Sequence, residues 1–183
     1  MDKDNGIVGY VNNNIQKIGD NFLQVNTVLE KIEASQVETI GNCCFQYNNK
    51  ARTAEFPMVK NIGEHFFENN SVMENLNSTQ IKKIGNNSLV HVNFNTINFS
   101  QLEHIGNNCF QQALRVKKIN LPCVEWIGDD VLEYNENFKT ELPYLPKVWH
   151  IGKEFLSKSR RDDSEFILYQ CREAEKVKRK IKR

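Results

Sequence analysis

Short apolar clusters recur along this chain at nearly constant spacing, and seven of them end in the dipeptide Ile-Gly. The glycines are Gly19, Gly41, Gly63, Gly85, Gly106, Gly128 and Gly152, separated by 22, 22, 22, 21, 22 and 24 residues. Three residues before each repeated Ile stands another aliphatic: Ile15, Val37, Val59, Ile81, Leu102, Val124 and Val148. Shortly after each glycine comes a second apolar group, such as Phe22-Leu23, Cys44-Phe45, Phe66-Phe67 and Cys109-Phe110. A third lies further on, as in Leu29-Glu30-Lys31-Ile32 and Val116-Lys117-Lys118-Ile119-Asn120-Leu121-Pro122. Each unit therefore predicts a strand, a corner, a short strand ending in Ile-Gly, and then a helical or looser turn. One such coil cannot cover its own apolar side chains, so neighbouring coils must stack into a solenoid. About seven coils at the parallel-strand spacing of roughly 4.8 Å give a sheet about 30 Å long.

The residues around the glycines sharpen the picture. A sharp corner there calls for a backbone with positive φ, which glycine adopts without penalty. On that reading Gly85→Val costs more than about 1 kcal/mol. Six of the seven glycines are followed by Asp20, Asn42, Glu64, Asn86, Asn107 or Asp129. Asp and Asn at such positions are expected to cap the first turn of a following helical segment. Pro57, Pro122 and Pro143 sit where a strand should stop, and proline ends a ladder because it lacks the N–H.

Composition narrows the function classes. The chain has 183 residues, 39% of them hydrophobic and 26% charged, a length for one domain and an ordinary soluble balance. No run of 18 apolar residues is present, so no segment reads as a transmembrane helix. Met1-Asp2-Lys3-Asp4-Asn5 lacks the basic and apolar regions of a secretory signal, so a cytoplasmic location is expected. The five cysteines are odd in number and form no C-x-x-C pair, which favours free thiols in a reducing compartment and no structural zinc. No phosphate-binding loop, nucleophile elbow, zinc-protease helix or dinucleotide fingerprint occurs. Neither enzymatic activity nor a cofactor is expected, and the glycines are all used by the fold.

Charge is unevenly placed. The net charge is +1, yet residues 170–183 hold seven Lys/Arg against two Glu, leaving a mildly acidic body. That segment has good helix formers and no Gly or Pro, and Cys171, Ala174, Val177 and Ile181 fall on one helical face. It reads as a basic C-terminal helix after a solenoid spanning 15–169, with 1–14 as an N-terminal cap or partial coil.

The pattern L-x-x-I-x-L-P-x-V-x-x-I-G-x-x-x-F resembles the BspA-type leucine-rich repeat. The fullest copy runs from Val116 through Ile119, Leu121-Pro122, Val124 and Ile127-Gly128 to Val131-Leu132. The resemblance implies a leucine-rich-repeat solenoid that acts as a ligand-binding module. Many members of that family are surface adhesins or host-interaction proteins, so a fragment of a cell-surface protein stands as an alternative to a cytoplasmic one.

Three surfaces are candidate contacts for a protein partner of a monomeric solenoid. One is the outward strand column Glu33, Glu55, Asn77, Asn98, Asn120, which reads either as a hydrogen-bonding face or as ordinary solvated strand positions. The second runs through the short strands, with Lys60 and Lys82 in one part and Trp126, Trp149, His104 and His150 at the other. Exposed Trp is enriched at interface hot spots. His104 and His150 are two coils apart, roughly 10 Å, too far to share a metal. The third is the basic tail, Arg172, Lys176, Lys178, Arg179, Lys180, Lys182 and Arg183, which suits nucleic acid, an acidic partner or a solvated end cap. No base-stacking aromatics interleave it, which argues against nucleic acid.

Overall fold

The computed structural model describes residues 7–135, 143 and 145–156. Its strands are β1 (Gly9–Val11), β2 (Lys17–Ile18), β3 (Lys31–Glu33), β4 (Thr39–Ile40), β5 (Thr53–Glu55), β6 (Asn61–Ile62), β7 (Asn75–Asn77), β8 (Lys83–Ile84), β9 (Thr96–Asn98), β10 (His104–Ile105), β11 (Lys118–Asn120), β12 (Trp126–Ile127) and β13 (His150–Ile151). Three-residue and two-residue strands alternate, one of each per coil. Six coils are formed, and β13 supplies the short strand of a seventh. All pairing is parallel and between successive coils. The short strands make one continuous seven-stranded sheet, whereas the longer ones form two, β1-β3-β5-β7 and β9-β11. The expected parallel-strand solenoid is thus present. The proposed terminal helix over 170–183 and the end of the 15–169 repeat region lie outside the described residues.

The middle residue of each three-residue strand points inward: Ile32, Ala54, Leu76, Ile97 and Ile119 are buried. Its neighbours point out, as period-2 side-chain alternation requires. The Ile of each Ile-Gly pair is buried in β2 through β12, together with the aliphatic three residues earlier from Val37 to Val124. Between the two strands lies a tight turn, with N–H to C=O bonds from Val59 to Phe56, Val124 to Leu121 and Val148 to Leu145. Pro57, Pro122 and Pro146 occupy the second position of these turns, where their fixed φ fits. Phenylalanines fill the middle of the core; Phe45 and Phe67 stack with centroids 5.1 Å apart, and Phe66 meets Phe67 edge-on at 4.6 Å.

Two expectations are corrected here. Of the helical or looser turn expected after the glycine, only the looser one occurs among the described residues, so what is corrected is the helix cap expected of Asp and Asn. Every second residue of the segment is left-handed, as in Cys43, Phe45 and Tyr47 with φ of 56°, 59° and 56°, and the pattern repeats in each coil. The alternation sends successive N–H groups to opposite neighbours. Cys43 donates to Glu64 O in the following coil, Phe45 to Phe22 O in the preceding one, and Tyr47 to Glu68 O in the following one. A left-handed non-glycine residue costs about 1–2 kcal/mol. The cost is offset because Leu23, Phe45, Phe67, Leu89, Phe110 and Leu132 bury their side chains in the core. Asp20, Asn42, Asn86, Asn107 and Asp129 accordingly cap no helix. Their side-chain oxygens accept the N–H of the equivalent residue one coil on, at 2.8–2.9 Å, forming an exposed polar ladder.

The second correction concerns the glycines, none of which has φ in the left-handed range. Their requirement is steric. A Cβ on Gly85 would lie 2.6 Å from Glu64 N and from Gly63 C, and 2.7 Å from Gly63 O, all backbone of the preceding coil. The later glycines meet the coil before them in the same way, while at Gly19 no described atom lies within 4 Å. The missing side chain lets one coil rest directly on the next.

Candidate binding faces

The outward column on the longer strands is exposed at Glu55, Asn77, Asn98 and Asn120 and half-buried at Glu33. Register sets Glu33 beside Glu55, Glu55 beside Asn77, and Asn98 beside Asn120. Asn120 Nδ2 donates to Asn98 Oδ1 at 2.8 Å, and Lys31 Nζ lies 2.9 Å from Glu33 Oε1. That bond, with the Glu33 charge behind it, raises the Lys31 pKa. The column is not continuous: β7 and β9 are unpaired, so Asn77 and Asn98 are not neighbours as the repeat spacing suggests.

On the short-strand face, Lys60 Nζ sits 2.8 Å from Glu38 Oε2 and Lys82 Nζ 3.1 Å from Glu103 Oε1. Both lysines are therefore tied to the adjacent coil, one to each neighbour. Exposed pairs of this kind contribute under about 1 kcal/mol each.

At the far end of the same face, pairing sets His104 against Trp126 and Trp126 against His150. The three rings stack: Trp126 and His150 have centroids 3.6 Å apart at 15°, and His104 and Trp126 are 5.9 Å apart at 15°. Trp149 meets Trp126 edge-on at 5.1 Å and is 56% exposed. The indole lying between the imidazoles keeps them from converging on one ion, and no cluster of potential metal ligands occurs among the described residues. Burial, with the nearby Lys83 charge second, lowers the His104 pKa and keeps that ring neutral near pH 7. The backbone beneath is fixed by rungs from Trp149 N and Trp126 N to Glu125 O and Glu103 O, 3.0 and 3.1 Å. The result is a rigid aromatic ledge, with amphipathic edges for hydrogen bonding and a large apolar face.

Two of the described thiols, those of Cys44 and Cys109, are buried and poorly suited to act as nucleophiles. Cys44 and Cys109 donate to the Gly19 and Gly85 carbonyls at 3.0 Å. Burial raises their pKa to about 11 and about 12 respectively, so both stay protonated at neutral pH. Cys43 is also shifted up, by burial first and then by Glu68, Asp20 and Glu64. The tail residues Arg172 to Arg183 lie outside the described part.

The alternating segment carries a further polar row, half-buried at Asn69 and His91, that the sequence does not single out. His91 bridges two coils, with Nδ1 2.5 Å from Asn69 Oδ1 and Nε2 2.6 Å from Gln112 Oε1. Its 21- and 22-residue spacing was visible, but a helical reading hides which side chains align.

The family model of the BspA-type leucine-rich repeat region matches residues 16–139 in six copies. The chain belongs to that family. No curated protein and no solved structure matches it. No helix among the described residues is long and apolar enough to cross a membrane.

Proposed function

We propose that this protein is a monomeric, non-enzymatic binding module that holds a protein partner against the stack formed by His104, Trp126, His150 and Trp149. One observation carries the reading: two tryptophans and two imidazoles form an ordered ledge on adjacent coils, and Trp149 remains 56% exposed. A large aromatic surface already held by its neighbours loses little side-chain freedom on binding, which is what interface anchors require. The ion-paired Lys60 and Lys82 and the amides of the Asn77 and Asn98 column are secondary candidates. Membership of a repeat family whose solenoid presents side chains in columns supports binding rather than turnover.

The test is affinity capture from lysate of the native host with wild type, Trp126→Ala/Trp149→Ala, and a chain ending at Tyr169. The proposal expects a partner held by wild type and by the truncated chain, with affinity for the double variant reduced about thirtyfold or more, a loss of about 2 kcal/mol. Capture lost only on truncation would move the contact to the basic tail. Turnover of a substrate that depends on a named residue would overturn the non-enzymatic reading.

A further inference from the structure

One coil is a residue short, and the sheet of longer strands opens there. From the buried Ile of each short strand to the next inward residue is 14 positions in Ile18 to Ile32, Ile40 to Ala54, Ile62 to Leu76 and Ile105 to Ile119. From Ile84 to Ile97 it is 13. The short strands on either side, β8 and β10, remain paired, and Asn93 N still donates to Met73 O at 2.8 Å. The three-residue strands do not close up: no Cα of β7 lies within 8 Å of a Cα of β9. Paired strands are about 4.8 Å apart, so a gap holding one additional strand is about 9.6 Å wide.

The gap is a cavity of about 340 Å³ lined by Asn75, Leu76, Asn77 and Ser78 on one side and Thr96, Asn98 and the Phe94 and Phe99 rings on the other. A rung present elsewhere is missing across it. Ala34 N donates to Glu55 O, Phe56 N to Asn77 O and Phe99 N to Asn120 O, but the equivalent bond from Ser78 N to Asn98 O is not made. Ser78 also has its side chain in the lining, is only 5% exposed, and its Oγ has no hydrogen-bond partner. A buried hydroxyl without a partner is costly and unusual.

We propose that this gap is a peptide-binding slot, filled by one extended segment of a partner protein that becomes the missing rung between β7 and β9. Its backbone bonds both strand edges, the established logic of strand addition. Its central side chain faces the part of the slot lined by Leu76, Phe94 and Phe99 and is aliphatic. The residues on either side point out among Asn75, Thr96, Asn77 and Asn98 and are small and polar. The slot is separate from the aromatic ledge, and neither reading depends on the other.

The probe is acetyl-Glu-Asn-Leu-Asn-Ser-amide, which repeats Glu74 to Ser78, labelled for fluorescence anisotropy. A second copy carries N-methyl groups on the Leu and both Asn nitrogens, removing backbone donors but no side chain. The proteins are the full chain, Trp126→Ala/Trp149→Ala, and a variant with one Asn inserted after Asn93, which restores the 22-residue coil. The slot predicts saturable binding to the full chain and the Trp variant alike, with at least about tenfold weaker binding of the methylated peptide and of the insertion variant. Equal affinity for the methylated peptide would overturn the proposal even if the insertion variant failed to fold. Absence of saturable binding, or binding of maltotriose in place of the peptide, would overturn it as well.

Discussion

The glycine column contains its own control. At Gly85 an added methyl group falls about 0.8 Å inside the 3.4 Å at which ordinary contact begins, and every atom it meets is backbone. No side chain can swing aside, so the coils must separate locally. That stretches the 2.9 Å rung from Gly85 N to Ile62 O. Overpacking of this kind costs about 1–3 kcal/mol, and a weakened backbone bond adds about 0.5–1.5 kcal/mol. Gly85→Ala should therefore destabilise by about 2–4 kcal/mol. Gly19 has the same sequence context but no described atom within 4 Å and no left-handed φ. Gly19→Ala should be neutral, or stabilising by up to about 1 kcal/mol through the unfolded chain. Urea unfolding of both variants and wild type, followed by far-ultraviolet circular dichroism, separates them. Equal destabilisation at the two positions, or a neutral Gly85→Ala, would refute the stacking argument.

Other consequences follow from the ladders and the buried groups. Asn107→Ala removes the acceptor of the Asp129 N–H bond at 2.9 Å and should cost about 1 kcal/mol. Asn107→Asp should cost much less, since Asp20 and Asp129 accept the same bond in other coils, and urea midpoints check both. Because the His104 pKa is lowered on folding, the unfolded state binds more protons just below its ordinary value. That contribution is complete above about pH 6.5 and declines as pH falls toward the folded value. Urea midpoints at pH 7.5 and 5.5 should differ less in His104→Gln than in wild type. Iodoacetamide at pH 8 followed by peptide mass spectrometry should modify Cys123 readily in the native protein and leave Cys44 and Cys109 unmodified until denaturant is added, given their raised pKa and burial.

The apolar spacing revealed the two strands of each coil because each inward position carries an aliphatic residue at a fixed offset from Ile-Gly. Even Ala54, the least strand-like of them, lies fully buried in register with Ile32 and Leu76. The segment after the glycine was not legible, since adjacent apolar pairs such as Cys44-Phe45 and Phe66-Phe67 suit a helix as well as an alternating left-handed run. Backbone handedness leaves little trace in such pairs. The glycines were found for the wrong reason: their spacing is explicit, but only the stacked coils reveal what a Cβ would strike. Trp126, His104 and His150 were legible as neighbours because they share an offset. That Lys60 and Lys82 are paired depends on side-chain reach between coils. The 21-residue interval stood in the sequence; that the short-strand sheet would absorb it while the other sheet opened depends on which corner lost the residue.

The central claim is that the aromatic ledge contacts the partner, and the chain has only two tryptophans, Trp126 and Trp149. Protein labelled with 5-fluorotryptophan gives one fluorine resonance for each. Titration with the purified partner should shift or broaden both, Trp149 more strongly, at the concentration where the complex forms. A complex that forms while both resonances stay fixed would contradict the account.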